Sequence, residues 1–406
     1  MSVFLELLTI LWYNISISFN TEASNMAYKN NHFVPQLILR RFGEEISTYN
    51  VKTSEYHHGK KTAEVFSKYE FYPEEVELEF GKVEGSFANI LNHKLLKAEC
   101  RSEVELNRKE LNIIKKFLLL EQMRVFVEEA SCANFEKLLT ELHNCTGFKY
   151  PFTEKVIENE TVHDRWLRNI KAIIECKDLT KIQEHELCTY EAYRWAQIYN
   201  WGYMAIWDSS YVDTSFIITD IGMTSEREPS VAQYGVEVEK KQYLMEAPSR
   251  TNNTIFQRKY VELLYQQTNF HENFYMFSIS KHRMLVVINP FFRLYCKKEK
   301  YPQPTIWPSM IKDRRLFEKN DADKLIGFQG KPITSDSDTF RYKVQSMKHE
   351  DVIWVNMLML DRIDTLLGFT SLEDIAESVR AYDNWYREHE LPPRKDYSKL
   401  IELFDK

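Results

Sequence analysis

The spacing of apolar residues in this chain changes from helical to strand-like about midway along its length. Apolar side chains recur every three or four positions in 73–95 and 104–143, which is typical of long amphipathic helices. Apolar runs at 214–219 and 284–289 predict strands, and another helix is expected at 351–367. Because helices and strands do not alternate regularly, we expect an α+β fold, with long helices packed on a small mixed or antiparallel sheet.

The composition of the 406 residues is that of a globular protein, with 44% hydrophobic and 28% charged residues. Only 11 glycines and 12 prolines occur, which favours long helices and strands over a chain rich in linkers. The net charge of −7 provides no general basic field, so nonspecific nucleic-acid binding is not the default function. Six cysteines without a Cys-x-x-Cys spacing predict free thiols and a reducing, cytoplasmic location.

The first 25 residues differ from the rest of the chain. They are largely apolar but interrupted by Glu6, and they lack the basic start and the cleavage site of a secretory signal. The apolar part is also short for a membrane span. We expect 1–25 to be an upstream extension that need not be native, with a weak membrane or partner anchor as the alternative. We then expect a main domain at 26–300, with a C-terminal strand and helices at 301–406 packed on it.

The densest group of chemically useful side chains lies at residues 32–42, which read His-Phe-Val-Pro-Gln-Leu-Ile-Leu-Arg-Arg-Phe. Pro35 favours an extended chain before it and a helix after it. His32 is therefore expected near a helix N-terminus, where backbone amides attract anions. Gln36, Arg40 and Arg41 follow within about a turn, within reach of a phosphate or a carboxylate. The alternative is that His32 only caps the helix while its apolar neighbours pack.

A second polar group interrupts an apolar helix. Glu121 and Arg124 follow the run Phe-Leu-Leu-Leu at 117–120. A buried charge is costly unless it is paired, so this group is either functional or a structural ion pair. Glu77 and Glu84 lie two turns apart on one helix face, where they either flank a site or form a solvated acidic face.

Two apolar strands are followed by polar residues. Asp220 ends the run at 216–219, and Asn289 ends the run at 285–288. Carboxylates at the ends of buried strands often serve as metal ligands or catalytic acids. Two strands that end alike would place Asp220 and Asn289 side by side. The alternative for Asp220 is a turn in which its side chain only closes the strand.

The order of these motifs resembles a widespread, mostly bacterial family, the domain of unknown function numbered 4238. Its members begin with His-(Tyr/Phe)-Val-Pro-Gln-x-x-Leu-x-x-Phe, close to the initiator Met. The positions that carry the resemblance are His32-Phe33-Val34-Pro35-Gln36 with Leu39 and Phe42, then Glu77, Glu84, Gln122-x-Arg124, Thr219-Asp220 and Asn289-Pro290. The Ser expected before Asp220 is absent, and Gly222 stands where Asn-Pro is common. The resemblance implies no established activity, and it supports Met26 as the natural start.

The first functional hypothesis is a hydrolase that acts on phosphodiesters, a nuclease-like effector in phage defence or a toxin. His32, Glu121 and Asp220 would be its catalytic residues, with His32 as general base or metal ligand. Substrate would be held by four side chains, those of Gln36, Arg40, Arg124 and Asn289. The cofactor would be a divalent metal, Mg²⁺ or Mn²⁺, and the partner a nucleic acid or a nucleotide.

The second hypothesis is a non-enzymatic binding or sensing module. In that case His32, Arg124 and Asp220 form a buried polar network that locks the junctions between strands and helices. The two hypotheses predict different geometry. An enzyme would bring these side chains together in an open cleft, whereas a structural network would leave them enclosed and mutually hydrogen-bonded.

Overall fold

The computed structural model describes residues 30–69, 72–124, 152–229, 271–288 and 339–405. Within these ranges the protein has the expected α+β architecture, with helices packed on mixed and antiparallel sheets. No helix in the described part of the chain combines the length and the apolar character needed to cross a membrane. The described cysteines Cys100, Cys176 and Cys188 are free thiols, as predicted. The extension at 1–25 lies outside the described residues, and the division into segments stays a prediction.

The helices and strands occur in an irregular order along the chain. The strands are β1 Asn30–His32, β2 Glu45–Asn50, β3 Glu55–Lys61, β4 Ser67–Tyr69, β5 Glu103–Asn107, β6 Tyr203–Asp208, β7 Ile218–Thr219, β8 Thr224–Pro229, β9 His271–Ser280, β10 Arg283–Ile288, β11 Thr339–Ser346 and β12 Leu366–Phe369. The helices are α1 Gln36–Leu39, α2 Glu74–Ile90, α3 Arg108–Arg124, α4 Val162–Glu175, α5 Tyr190–Trp201, α6 His349–Arg362, α7 Leu372–Glu388 and α8 Ser398–Phe404.

A six-stranded mixed sheet forms the centre of the molecule, in the order β5-β11-β6-β10-β9-β8. Its strands pair antiparallel except β11 and β6, which are parallel. Every residue of β10 is buried. Both faces of the strand are covered, which is why residues 284–288 are a continuous apolar run instead of an alternation.

Two hydrophobic cores cover the two faces of this sheet. Leu285 and Val287 of β10 belong to the core formed with α2, α3 and α4, whereas Met284 and Val286 belong to the core formed with α6, α7 and α8. The second core also contains residues of a four-stranded antiparallel sheet in the order β3-β2-β12-β7. A two-stranded sheet, β1-β4, completes the fold. The candidate site lies beside the first core, where β1 meets α2 and α3.

The helix expected at 104–143 is shorter than predicted at its start. Val104 and Leu106 are buried and alternate with exposed neighbours in β5, so their period is that of a strand. The helix α3 begins only at Arg108, because Asn107 and Glu110 form reciprocal side-chain to backbone hydrogen bonds of 2.9 Å. This capping box fixes the helix start. The described part of this helix ends at Arg124.

The run at 214–219 is a buried segment instead of a central strand. Only Ile218 and Thr219 form a strand, β7, at the edge of the four-stranded sheet. Asn356 of α6 takes the place of a strand partner: its Oδ1 accepts from Ile217 N at 3.2 Å, and its Nδ2 donates to Ser215 O at 2.9 Å. The apolar pattern therefore predicted burial correctly, but it could not show that a side chain, instead of a neighbouring strand, forms the hydrogen bonds of this backbone.

Candidate functional site

The chain reaches the site through β1 and bends at Pro35. His32 pairs with Ser67 of β4, and Pro35, with φ −57° and ψ 137°, immediately precedes α1. The amides of Ile38 and Leu39 donate to Pro35 O at 2.9 and 3.1 Å. The predicted change from extended chain to helix is present. However, α1 has only four residues, so its dipole is too short to hold an anion, and any recognition falls to side chains.

Three side chains form a hydrogen-bonded chain on the surface, which we call the relay. Arg40 Nη2 donates to Gln36 Oε1 at 2.8 Å, and Gln36 Nε2 lies 3.2 Å from His32 Nε2. Because the amide oxygen of Gln36 accepts from Arg40, its amide nitrogen faces the imidazole and donates to it. His32 Nε2 is therefore an acceptor, and the neutral ring carries its proton on Nδ1. The relay brings together three of the predicted site residues.

Arg124, the last described residue of α3, lies beneath the relay and is 1% exposed. Its Nη1 donates to the backbone carbonyl of His32 at 2.8 Å, and its Nη2 is paired with Glu84 of α2. Its Nε lies 3.0 Å from Glu121 Oε1, and its guanidinium carbon lies 4.1 Å from the centre of the Phe80 ring. Arg124 thus joins β1, α2 and α3 through one side chain.

The carboxyl groups around Arg124 have shifted acidities. Burial raises the pKa of Glu121 to about 8, because the loss of hydration outweighs the attraction of Arg124, and the charge of Glu84 adds to the effect. Burial also raises the pKa of Glu77, on which Arg124 and a hydrogen bond with Asn31 act in the opposite direction. Glu121 is therefore mostly protonated at neutral pH, and Glu84 is the counter-ion of Arg124.

One residue of the cluster was not identified by the sequence interpretation. Tyr72 donates from its hydroxyl group to Arg124 O at 3.0 Å, and its own backbone amide donates to Asn31 Oδ1 at 3.1 Å. Burial raises the pKa of Tyr72 strongly, so it is a neutral hydrogen-bond donor. We call the set Tyr72, Glu77, Glu84, Glu121 and Arg124 the buried cluster. Tyr72 lies just before Pro73 and has no spacing that would mark it.

Asp220 belongs to a different hydrogen-bond network. Its Oδ1 accepts from the backbone amide of Asp364 at 3.1 Å, and its Oδ2 accepts from the amides of Thr365 and Leu366 at 2.6 and 2.9 Å. Burial raises the pKa of Asp220 to about 6, although these amides favour the ionised form. The same loop approaches the segment between β1 and α1 through Gly222, where an added Cβ would lie 3.6 Å from Val34 Cγ2.

The structure therefore joins five of the predicted residues, which are His32, Gln36, Arg40, Glu121 and Arg124. Asp220 does not form the local turn of its alternative interpretation, because its carboxylate accepts from the backbone amides of residues 364–366. Asn289 lies outside the described residues. Within the described ranges, no three or more His, Cys, Asp or Glu side chains are grouped so that they could hold a metal ion. The Mg²⁺ or Mn²⁺ site and the catalytic roles stay predictions.

The comparison with protein families agrees with the resemblance of the motifs. The model of the family described as protein of unknown function (DUF4238) matches residues 30–362. The chain belongs to this family. The match covers the relay and the buried cluster, and it ends at the last residue of α6. No curated protein and no solved structure matches the chain at a significant level.

The raised pKa of Glu121 makes the stability of this family member depend on pH. The folded state keeps the proton up to about pH 8, whereas the ordinary value is 4.5, so the free energy of unfolding falls as pH rises between these values. We expect Glu121→Gln to match the wild type near pH 5 and to be more stable than the wild type above pH 8. Urea unfolding of both proteins at the two pH values measures the difference.

The matched control for this prediction is Glu103→Gln, because Glu103 is an exposed residue of β5. Its effect on the free energy of unfolding should stay within about 0.5 kcal/mol at both pH values. A difference between Glu121→Gln and the wild type that does not change with pH would show that Glu121 ionises normally in the folded protein.

Proposed function

We propose that the chain is a non-enzymatic binding module that recognises a phosphate-bearing ligand, a nucleotide or a nucleic acid, at the relay. The observation that carries this proposal is that Arg40 is exposed and yet held by a side chain: Gln36 accepts one of its N–H groups. A guanidinium has five donors in a planar fork that fits a phosphate. Holding the fork in place lowers the ordering cost of binding.

The neighbouring residue supports this role. Arg41 is also exposed, and its Nη2 donates to Asn92 Oδ1 at 2.6 Å. Two consecutive guanidiniums are thus each held by an amide oxygen, which is an arrangement for recognising an anion instead of for neutralising a carboxylate of the same chain. The buried cluster has a separate role in the proposal: through the carbonyl of His32, Arg124 fixes the backbone from which the relay projects.

The test measures binding of two probes by fluorescence anisotropy, a labelled single-stranded RNA and a fluorescent ATP analogue, with inorganic phosphate as competitor. We expect Arg40→Ala to weaken binding about tenfold or more, because a hydrogen bond to a charged group contributes about 1.5–3 kcal/mol. Binding should also weaken as salt is added. RNA-selective binding would identify the ligand as a nucleic acid, and binding of the ATP analogue would identify it as a nucleotide.

Arg341→Ala is the matched control, because Arg341 is an exposed arginine of β11 whose partner is Glu105 at 3.5 Å. It removes the same charge from another part of the surface and should leave both affinities unchanged. Equal losses of affinity in Arg40→Ala and Arg341→Ala would attribute the effect to net charge and overturn the proposal. The proposal would also be overturned if neither the RNA nor the ATP analogue bound.

The second candidate is the hydrolase, a nuclease-like enzyme of phage defence or a toxin. The observation in its favour is the pair of carboxyl groups with raised pKa, Glu121 and Glu77, because a general acid needs its proton near neutral pH. The hydrogen bond from Gln36 to His32 Nε2 counts against the hydrolase, since a general base needs the lone pair on that nitrogen to accept a proton. Asp220 is left out, because its carboxyl group holds three backbone amides.

Incubation of the same probes with protein and Mg²⁺ or Mn²⁺ separates the two candidates. Under the binding proposal the probes stay intact while they bind. The hydrolase would be established if the wild type cleaved the probes and both His32→Ala and Glu121→Gln lost cleavage while remaining folded. That result would overturn the proposal of a non-enzymatic binding module.

A further inference from the structure

A second surface feature lies between α6 and α7, away from the relay. It is an open groove of about 810 Å³ with an apolar floor and an acidic rim. We call it the tryptophan groove, and its main residues are Trp354, Met357 and Trp385 on the floor and Glu350, Glu377 and Glu388 on the rim. Its volume is within the usual range for binding sites.

The walls of the groove are held in place by His349. Its Nδ1 lies 2.9 Å from Thr214 Oγ1, and its Nε2 lies 2.8 Å from Glu377 Oε2 on α7. The imidazole thereby connects the first residue of α6 to the facing helix and to the loop before β7. Together with the packing of α6 on α7 in the second core, these bonds indicate a formed groove instead of a chance gap between helices.

The charge of the rim points to the chemistry of a partner. Glu350, Glu377 and Glu388 are exposed, and Asp351 adds a fourth carboxylate to the lining. Of the described residues that line the groove, Lys348 is the single lysine or arginine. An acidic rim excludes nucleic acid and attracts cations.

The floor adds a second criterion. Trp354 and Trp385 are both half-buried and line the groove. Indole rings attract lysine and arginine side chains through their faces and are frequent anchors of protein interfaces. A groove between two helices, apolar below and charged at the edge, is the receiving half of helix-in-groove recognition.

We propose that the tryptophan groove binds a basic amphipathic helix of a partner protein. Apolar side chains of that helix pack on Trp354, Met357 and Trp385, and its lysines or arginines pair with the rim. The family match ends at residue 362, so one wall of the groove, α7, is built by residues beyond the matched region. The proposal is independent of the relay and of its ligand.

The experiment measures anisotropy of a labelled synthetic peptide of leucine and lysine in amphipathic helical spacing, added to the full chain. We expect Glu350→Gln combined with Glu388→Gln to weaken binding about five- to tenfold, and added salt to weaken it further. The double variant replaces exposed side chains only, so the fold is retained. A peptide with serine in place of leucine tests the apolar floor without altering the protein, and should not bind.

The control variant is Glu44→Gln combined with Glu103→Gln, which removes the same two negative charges from exposed positions elsewhere. Its affinity for the leucine-lysine peptide should equal that of the wild type. Equal losses in the two double variants, or equal binding of the serine peptide, would attribute the interaction to net charge and overturn the proposal. Binding of a leucine-glutamate peptide as tightly as the basic one would also overturn it.

Discussion

Arg124→Met is expected to lower the free energy of unfolding by about 3–5 kcal/mol, the usual cost of removing one partner of a buried ion pair. Methionine keeps apolar volume near Phe80, so the loss arises from the polar contacts. The carbonyl of His32 loses its donor, and Glu84 loses its counter-charge. Urea unfolding at neutral pH, followed by tryptophan fluorescence and by circular dichroism, measures the change.

Arg40→Met is the control for this prediction, because it applies the same replacement at the exposed end of the same hydrogen-bonded system. Its effect on the free energy of unfolding should stay within about 0.5 kcal/mol. If Arg124→Met unfolds within 1 kcal/mol of the wild type, which is below the range expected for a buried pair, the buried cluster does not hold the fold together. The buried cluster would then be better explained as a functional polar site that is retained at the expense of stability.

The contrast between Arg124 and His32 separates structure from recognition. Arg124 binds the backbone carbonyl of His32, so His32→Ala leaves that bond in place and removes only the imidazole from the relay. The thermal stability of His32→Ala therefore says little about the buried cluster. Variants of Arg124 and Glu121 report on the fold, whereas variants of Arg40 and Gln36 report on the ligand.

The sequence indicated part of the buried cluster, because charged residues occur where an apolar helix is expected. Glu121 and Arg124 interrupt an apolar helix, and their proximity follows from helical spacing alone. Glu84 and His32 were marked as separate motifs, and only packing shows that both contact Arg124. Tyr72 could not be predicted, because a tyrosine before a proline has no periodicity and its role depends on Arg124 of α3, some fifty residues later.

For Asp220, the sequence indicated a position of interest but not the role of the side chain. Its position after an apolar run was recognised, but a carboxylate at the end of a strand fits both a catalytic acid and a turn. The choice depends on residues 364–366, which lie far along the chain and whose backbone amides have no sequence signature. The strand β12 was missed for a related reason: four residues between two helices are too short for a periodic pattern.

Asp220→Ala is expected to lower the free energy of unfolding by about 3 kcal/mol or more, because it leaves three amide donors without their acceptor and each costs about 1–3 kcal/mol when buried. These amides belong to the turn that joins α6 to β12, and β12 lies between β2 and β7. The loss should therefore loosen the four-stranded sheet. Hydrogen exchange of the Leu366–Phe369 amides, together with urea unfolding, measures both effects.

Asp364→Ala is the matched control, since Asp364 is in the same turn and its carboxylate forms a part-exposed pair with Lys52 at 3.0 Å. An exposed pair contributes about 0–1 kcal/mol, so this variant should keep β12 protected. A catalytic Asp220 predicts the reverse pattern, with activity lost and exchange at β12 unchanged. Because the two roles differ in which measurement responds, exchange and cleavage assays on one pair of variants decide whether Asp220 holds a turn or acts on a substrate.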